Sequence, residues 1–275
     1  MRVELARDNF LLESNGNWAP AEKLIGEREL IAFNSGQFVP VKALITFGQP
    51  KHISTYRSGS YRYISPASPI ELLDQNRWRD IRTFYTDKKL STHHVLKHNQ
   101  IIVPRHIPIF GETAPEADWI EAIARSAIIE QQLVIPDFLV HLNQDALQET
   151  LRQILVSAYP NIRIHKGGFI KKTKTIRLTR IEERSRRLLT HLLARFGVRV
   201  RRNEYQSLQI RDNLSKEIMA NILGFYRSRA LKIDTTMKDW IWVHYPRGLM
   251  ETVVVETEAD NICDGLFIWR QSRLD

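Results

Sequence analysis

Along the first 112 residues the apolar positions come in short runs broken by turn residues: FLLESNGNW, ELIAFNSGQFVPVKALITF, YRSGSYRYISPASPIELL and QIIVPRHIPIFGE. Runs of this length bounded by turn signals predict strands, and Asn15-Gly16 and Ser35-Gly36 predict hairpin turns between them. Pro66, Pro69, Pro104 and Pro108 restrict how many of these strands can be central. The pattern changes at Thr113, which has Glu116 three residues later. This pair predicts a capping box for a helix running to about Leu133, with Ile120, Ile123, Ala124, Ala127 and Ile128 on its apolar side. Asn143 is the expected cap of a second helix, whose face is Leu147, Leu151, Ile154 and Leu155.

Beyond Asn161 the period changes again. Ile162 and Ile164, then Ile170, Ile176 and Leu178, alternate with polar residues around Gly167-Gly168, which predicts two strands joined by a glycine turn. From Glu182 to Phe196 the residues Leu188, Leu189, Leu192, Leu193 and Phe196 recur at helical spacing, with Arg184, Arg186 and Arg187 toward the other side. Gly197 is placed to end that helix. Strands are expected over 198–202 and 205–210, followed by a helical pattern in LSKEIMANILGFYRSRAL that Asn213 or Ser215 can cap. After Ala230, WIWVHY, METVVVETE and GLFIW return to strand-like composition. The economical partition is an α+β protein: a β-rich domain formed by 1–112 and closed by 235–275, with a mixed α/β domain inserted at 113–234.

Composition narrows the class. Of the 275 residues 43% are apolar, and no run is long and uncharged enough to span a membrane, so neither a transmembrane helix nor wholesale disorder is expected. Cys263 is the single cysteine and cannot form an intrachain disulfide, and MRVELARDNFLLE lacks the pattern of a secretory leader. An intracellular protein, cytoplasmic or nucleoid-associated, is the expectation.

Charge changes the picture more. The chain carries +9, with 40 Lys and Arg against 31 Asp and Glu, but Asn161 to Arg211 alone holds fifteen Lys or Arg against three Glu, a balance of +12. Lys171, Lys172, Lys174, Arg177, Arg180, Arg199, Arg201 and Arg202 fall on the expected strands. Such a ribbon can neutralise the phosphates of double-stranded DNA, and Gln206 and Gln209, with Lys174 and Arg177, are candidates for base edges. The same charge fits an ordinary solvated surface or a patch that binds an acidic protein partner.

Other constellations carry less. His93, His94, His98 and His106 have suggestive spacing, but no Cys pair accompanies them and no metal site is expected. Glu251, Glu256, Glu258 and Asp260 fall largely on the solvent side of an alternating strand. Cys263 and the tryptophans Trp240, Trp242 and Trp269 read as packing residues. No GxGxxG or GxxxxGK[ST] motif is present, so no nucleotide cofactor is implied.

The end segments, taken in order, resemble an intein that carries an inserted LAGLIDADG homing-endonuclease domain. The matching blocks are SNGNWAPAEKLIGERELIAFN (14–34), GSYRYISPASPI (59–70), IIVPRHIPIFG (101–111) and ETVVVETEADNICDGLFIWRQS (251–272). The resemblance spans nearly the whole chain. It implies a split, Hint-like β domain interrupted by a LAGLIDADG-like DNA-binding domain. It also implies a set of chemical positions, and this sequence departs from all of them. Residues 1–13 contain no Cys, Ser or Thr to act as the first nucleophile. The family's Thr and His of the second block fall on Ser65 and Ser68, and its closing His-Asn pair falls on Trp269 and Arg270, with Gln271 and Ser272 beyond. An indole cannot serve as the general acid and an arginine cannot cyclise, so the resemblance implies a frame without splicing. WIEAIARSAIIEQQLV and ANILGFYRSRAL resemble the two helices whose carboxylates hold divalent metal. Their acidic positions fall near Gln131 and Arg229, with Glu130 one register away. Mg2+-dependent cleavage is implied only if Glu130 finds a second carboxylate; retained binding of double-stranded DNA is the main implication.

Overall fold

The computed structural model describes residues 1–58, 63–74, 77–84, 99–159, 175–202, 207–224 and 231–273. The expectations placed on His93, His94, His98, Gly167-Gly168, Lys171, Lys172, Lys174, Gln206 and Arg229 lie outside the described residues. In chain order the elements begin with β1 (Arg2–Ala6), β2 (Phe10–Leu12), β3 (Trp18–Pro20), β4 (Gly26–Asn34), β5 (Gln37–Phe47), β6 (Lys51–Ser58), β7 (Tyr63–Ile64), β8 (Ile70–Asp74), β9 (Arg77–Asp80) and β10 (Gln100–Pro104). Next come α1 (Ala117–Ser126), β11 (Ile128–Ile129), β12 (Gln132–Leu133), α2 (Gln144–Ala158), β13 (Ile176–Leu178), α3 (Glu183–Arg195), β14 (Arg201–Arg202), β15 (Leu208–Ile210) and α4 (Asn213–Ile222). The chain closes with β16 (Thr236–Met250), β17 (Thr252–Thr257), β18 (Ile262–Cys263) and β19 (Ile268–Gln271). The protein is mostly sheet with a few helices. Its contacts fall into two units, Met1–Pro104 with Thr235–Asp275, and Arg105–Asp234.

The first unit is built from antiparallel sheets ordered β1-β17-β5-β4, β10-β16-β6-β7 and β18-β19-β8-β9. Its hairpins follow from local sequence. Ser35 and Gly36 have φ of 48° and 87°, and Asn34 faces Gln37, the two-residue left-handed turn that matches strand twist. The closing segment becomes a central strand: Val255 pairs with Val3 on one side and Ile45 on the other, and all three are buried. In β16 the ladder shifts register between Pro246 and Gly248, which accommodates a proline that has no N–H to donate.

Among the buried polar positions of this unit is Asp239. Asp239 lies on β16 opposite Ile101 and is 1% exposed, sharing its strand face with buried Met237 and Ile241. Its Oδ1 accepts from the Trp240 N–H at 2.9 Å, but among the described residues Oδ2 has no hydrogen-bond partner. A buried acceptor left unmade costs about 1–3 kcal/mol. Asp239→Val should therefore stabilise the protein by roughly that amount, read as a higher urea midpoint at unchanged m-value. A midpoint that falls would mean the carboxylate is matched to its surroundings.

The second unit packs α1 against α2 and sets the sheet β13-β15-β14 beside α3 and α4 in sequence. Helix α2 begins where Asn143 accepts from the Ala146 N–H at 2.9 Å, and it buries Leu147, Leu151, Ile154 and Leu155. Helix α3 ends in a Schellman motif: the Gly197 N–H donates to the Ala194 carbonyl and the Val198 N–H to that of Leu193, with Gly197 at φ 82°. Almost every residue of α3 is buried, so it is the central helix of the unit and not a surface one. Arg186, expected on the outer side, is 8% exposed.

Three local expectations are corrected. The helix expected from Thr113 starts at Ala117 instead, and Glu116 makes no side-chain cap bond. Pro115 disfavours helical backbone at Ala114, so a cap at Thr113 cannot propagate; Thr113 bridges to Leu142 instead. The same helix ends at Ser126, short of Leu133, and the second half of the stretch WIEAIARSAIIEQQLV folds as the β11–β12 hairpin. Glu130 and Gln131 form its turn, with φ of 48° and 63°. β-Branched Ile128 and Ile129 favour the strand and compete with helical period. Finally, α4 is capped by Asp212, not Asn213 or Ser215; the Ser215 hydroxyl instead accepts from the Arg199 N–H at 2.7 Å.

Candidate nucleic-acid interface

In the sheet β13-β15-β14, Ile176, Leu178, Leu208 and Ile210 are buried. Period-two alternation turns the intervening residues to the opposite face, and register brings them together: Arg177 pairs with Gln209, and Gln209 pairs with Arg201. Arg177, Gln209 and Arg201 thus form one row across three strands. Like charges directly opposite each other are destabilising, and the neutral Gln209 keeps the two arginines two strand spacings apart, roughly 10 Å. Arg177 is exposed and Arg201 half-buried.

Arg211 joins this row from just beyond β15. It is exposed, and its Nε donates to the Gln209 Oε1 at 2.8 Å. The only signal for Arg211 in the sequence is its place two residues from Gln209 and so on the same strand parity. Gln209, expected at a base edge, is only 2% exposed and commits its carbonyl oxygen to Arg211.

The remaining basic candidates are dispersed. Arg180 is exposed with φ 54°, and its Nη1 reaches the Gln131 Oε1 at 3.4 Å, beside the β11–β12 turn. Arg199 precedes β14 and is tied through its backbone to Ser215. Arg202 is on β14 opposite Leu208. At the start of α4, burial pushes the Asp212 carboxyl up, but hydrogen bonds from Ser215 and Arg105 and the Arg105 charge outweigh this and hold it below the ordinary carboxylate range. Glu182 caps α3 in a similar way: burial pushes it up, and the Arg184 and Ser185 N–H groups bring it below its usual value. Glu130 is exposed in its turn, and among the described residues no three His, Cys, Asp or Glu side chains converge as a metal group.

The positions on which the resemblance places splicing residues lie in the first unit. Ser65 is buried; the Asn9 side chain donates to its carbonyl and accepts from its N–H, and its hydroxyl is 2.7 Å from that of Thr55. The Ser68 hydroxyl accepts from the Glu4 N–H at 2.9 Å. Trp269 is buried with Nε1 donating to the Asp264 Oδ2 at 3.1 Å. Arg270 donates to Glu71 at 2.7 Å and lies 4.7 Å over the Trp78 ring. Just beyond, Ser272 donates to Asp80, which Arg82 also forks. Burial pushes the Asp80 carboxyl up, yet these hydrogen bonds hold it below the ordinary range.

The same unit carries a broad open groove of about 1580 Å³. Its carboxylates Glu13, Glu27, Glu29, Glu256 and Glu258 are interspersed with Arg2, Arg28 and Lys42, so both signs of charge line it, with the acidic one in excess.

No protein-family profile and no curated protein matches the chain. Among solved structures, it is similar to the G-1F mutant of the Ssp DnaB mini-intein variant M86, with 10% identity over 99% of each chain and a TM-score of 0.45. It is also similar to a DnaB intein from Synechocystis sp. PCC 6803, with 10% identity over 99% of each chain and a TM-score of 0.42. No helix among the described residues is long and apolar enough to cross a membrane.

Proposed function

We propose that this chain is an intein-like protein that has lost splicing and binds double-stranded DNA through the sheet of its Arg105–Asp234 unit. The observation that carries the binding reading is the cross-strand row of Arg177, Gln209 and Arg201, extended by Arg211. Three guanidinium groups on one sheet face suit a polyanion, because each cation that meets a phosphate releases condensed counterions. Guanidinium is also the donor group that matches phosphate in a fork.

The loss of splicing rests on side-chain chemistry. Ser65 and Ser68 offer hydroxyls but no imidazole, and both are engaged in structural hydrogen bonds. Trp269 has no proton to transfer near neutral pH, and Arg270 is committed to Glu71. Cleavage is not assigned: Glu130 stands in an exposed turn whose neighbour Gln131 accepts from Arg180, and a cation at that place disfavours a metal ion.

A salt titration on random duplex tests the binding. The logarithm of affinity should fall linearly with that of salt, with a slope of about −2 to −3 if the three arginines each meet a phosphate. No binding at the lowest salt, or a flat dependence, overturns the proposal. Nuclease-resistant capture of an acidic protein in place of DNA would favour the protein-partner reading.

A further inference from the structure

We infer that Arg211 is the specificity-determining side chain of this face, reading a guanine edge in duplex DNA, and that Gln209 is the residue that positions it. This inference rests on the DNA-binding reading and deepens it. A free arginine side chain has many rotamers, and binding a base must freeze them. Arg211 is partly frozen in advance, since its Nε–H is donated to the Gln209 Oε1 at 2.8 Å. Gln209 is itself buried, at 2% exposure in the central strand of its sheet. With Nε occupied, the end of the guanidinium carrying Nη1 and Nη2 is left to meet a ligand. That pair of donors matches the O6 and N7 acceptors of guanine in the major groove.

The identity of the acceptor matters. A carboxylate at 209 would also hold Arg211 but would cancel its charge, lowering attraction for DNA. The amide of Gln209 orients without neutralising. Among the described residues Arg177 has no such anchor, although it stands in the same row. It is suited to phosphates, whose position along the backbone carries no sequence information.

Selection from a randomised duplex library with the full chain should enrich guanine at one position. Arg211→Lys keeps the charge but has neither the Nε anchor nor the fork. It should lose about tenfold or more of the guanine preference at that position, read relative to the same variant's own affinity for random duplex. Gln209→Met should flatten the same position and leave the salt slope unchanged. Gln209→Glu should retain the preference at lower overall affinity. Because position 211 is exposed, Arg211→Lys decides the matter even if a variant at buried 209 unfolds. An intact guanine preference in Arg211→Lys, or wild-type binding without any base preference, overturns this assignment and leaves DNA binding standing. Failure of the wild type to bind any duplex at low salt removes both.

Discussion

Truncating Arg195 to Ala should destabilise the Arg105–Asp234 unit by about 3–5 kcal/mol, while Arg195→Met should change its stability by about 1 kcal/mol or less. Arg195 ends the central helix α3 and has no exposed surface. Its Nη1 donates to the Val140 carbonyl at 2.8 Å, and its Nε lies 3.2 Å from the His191 Nε2. A guanidinium has only donors, so His191 accepts through Nε2 and carries its own proton on Nδ1 as a neutral imidazole. Burial pushes the guanidinium down to about 9, which still leaves it charged at neutral pH. The sign follows from that depression: the folded form holds its proton less tightly than the unfolded chain, so the desolvation cost is present below pH 9 and is relieved only above it.

Two effects therefore oppose each other at this site. Removing the charge relieves desolvation, whereas removing the side chain opens a cavity and strands the Val140 carbonyl. Alanine suffers the cavity, and methionine fills it with a flexible apolar chain of similar length. Urea unfolding of the full chain, with hydrogen exchange of the α3 amides to locate the effect, separates the two variants. An alanine variant within 1 kcal/mol of wild type would mean the interior collapses around the missing side chain.

The triple substitution Arg177→Ala, Arg201→Ala and Arg211→Ala should lower affinity for random duplex by about 10²–10³-fold near 0.1 M salt and reduce the salt slope by two to three units. Each phosphate contact contributes about 0.9 to the slope, so the loss of slope on random duplex counts the contacts removed, Arg211 among them where no guanine faces it. The control is a triple of equal charge in the other unit, Arg2→Ala, Arg28→Ala and Lys42→Ala. If net charge alone governs binding, the two triples will behave alike, and the sheet face will have no special part. Fluorescence anisotropy across a salt series reads both quantities.

How far the sequence could be read varied with the range of the interaction involved. Asn143 at the start of α2, Gly197 at the end of α3 and Ser35-Gly36 between β4 and β5 were all legible, because capping and turn chemistry act within a few residues. The stretch after Ser126 is ambiguous in the sequence and folds as a hairpin where helical spacing predicts a helix. Its residues satisfy helical spacing as far as Ile128, and the strand preference of Ile128 and Ile129 lies within the same window. Asp212 was overlooked as a cap because it stands beside two other good capping residues, and which one takes the role depends on backbone conformation at that step. At the candidate interface the basic character is plain in the sequence, but spacing alone groups Gln209 with the residues expected at bases and does not single out Arg211. Only the register that sets Gln209 between Arg177 and Arg201, and the burial of its amide, ties Gln209 to Arg211.

By itself the sequence determined the alternation that buries Val3, Ile45 and Val255, the helical face of α2, and the concentration of positive charge between Asn161 and Arg211. These are properties of spacing and composition, which a chain carries before it folds. Only the tertiary structure decided that β17 is central in its sheet, that Arg195 and Asp239 are buried without exposed surface to spare, and that Arg211 is held by Gln209. Each of those depends on which distant segments meet, and a burial or a hydrogen bond between strands has no local signature because its cost and its gain are set by the partner.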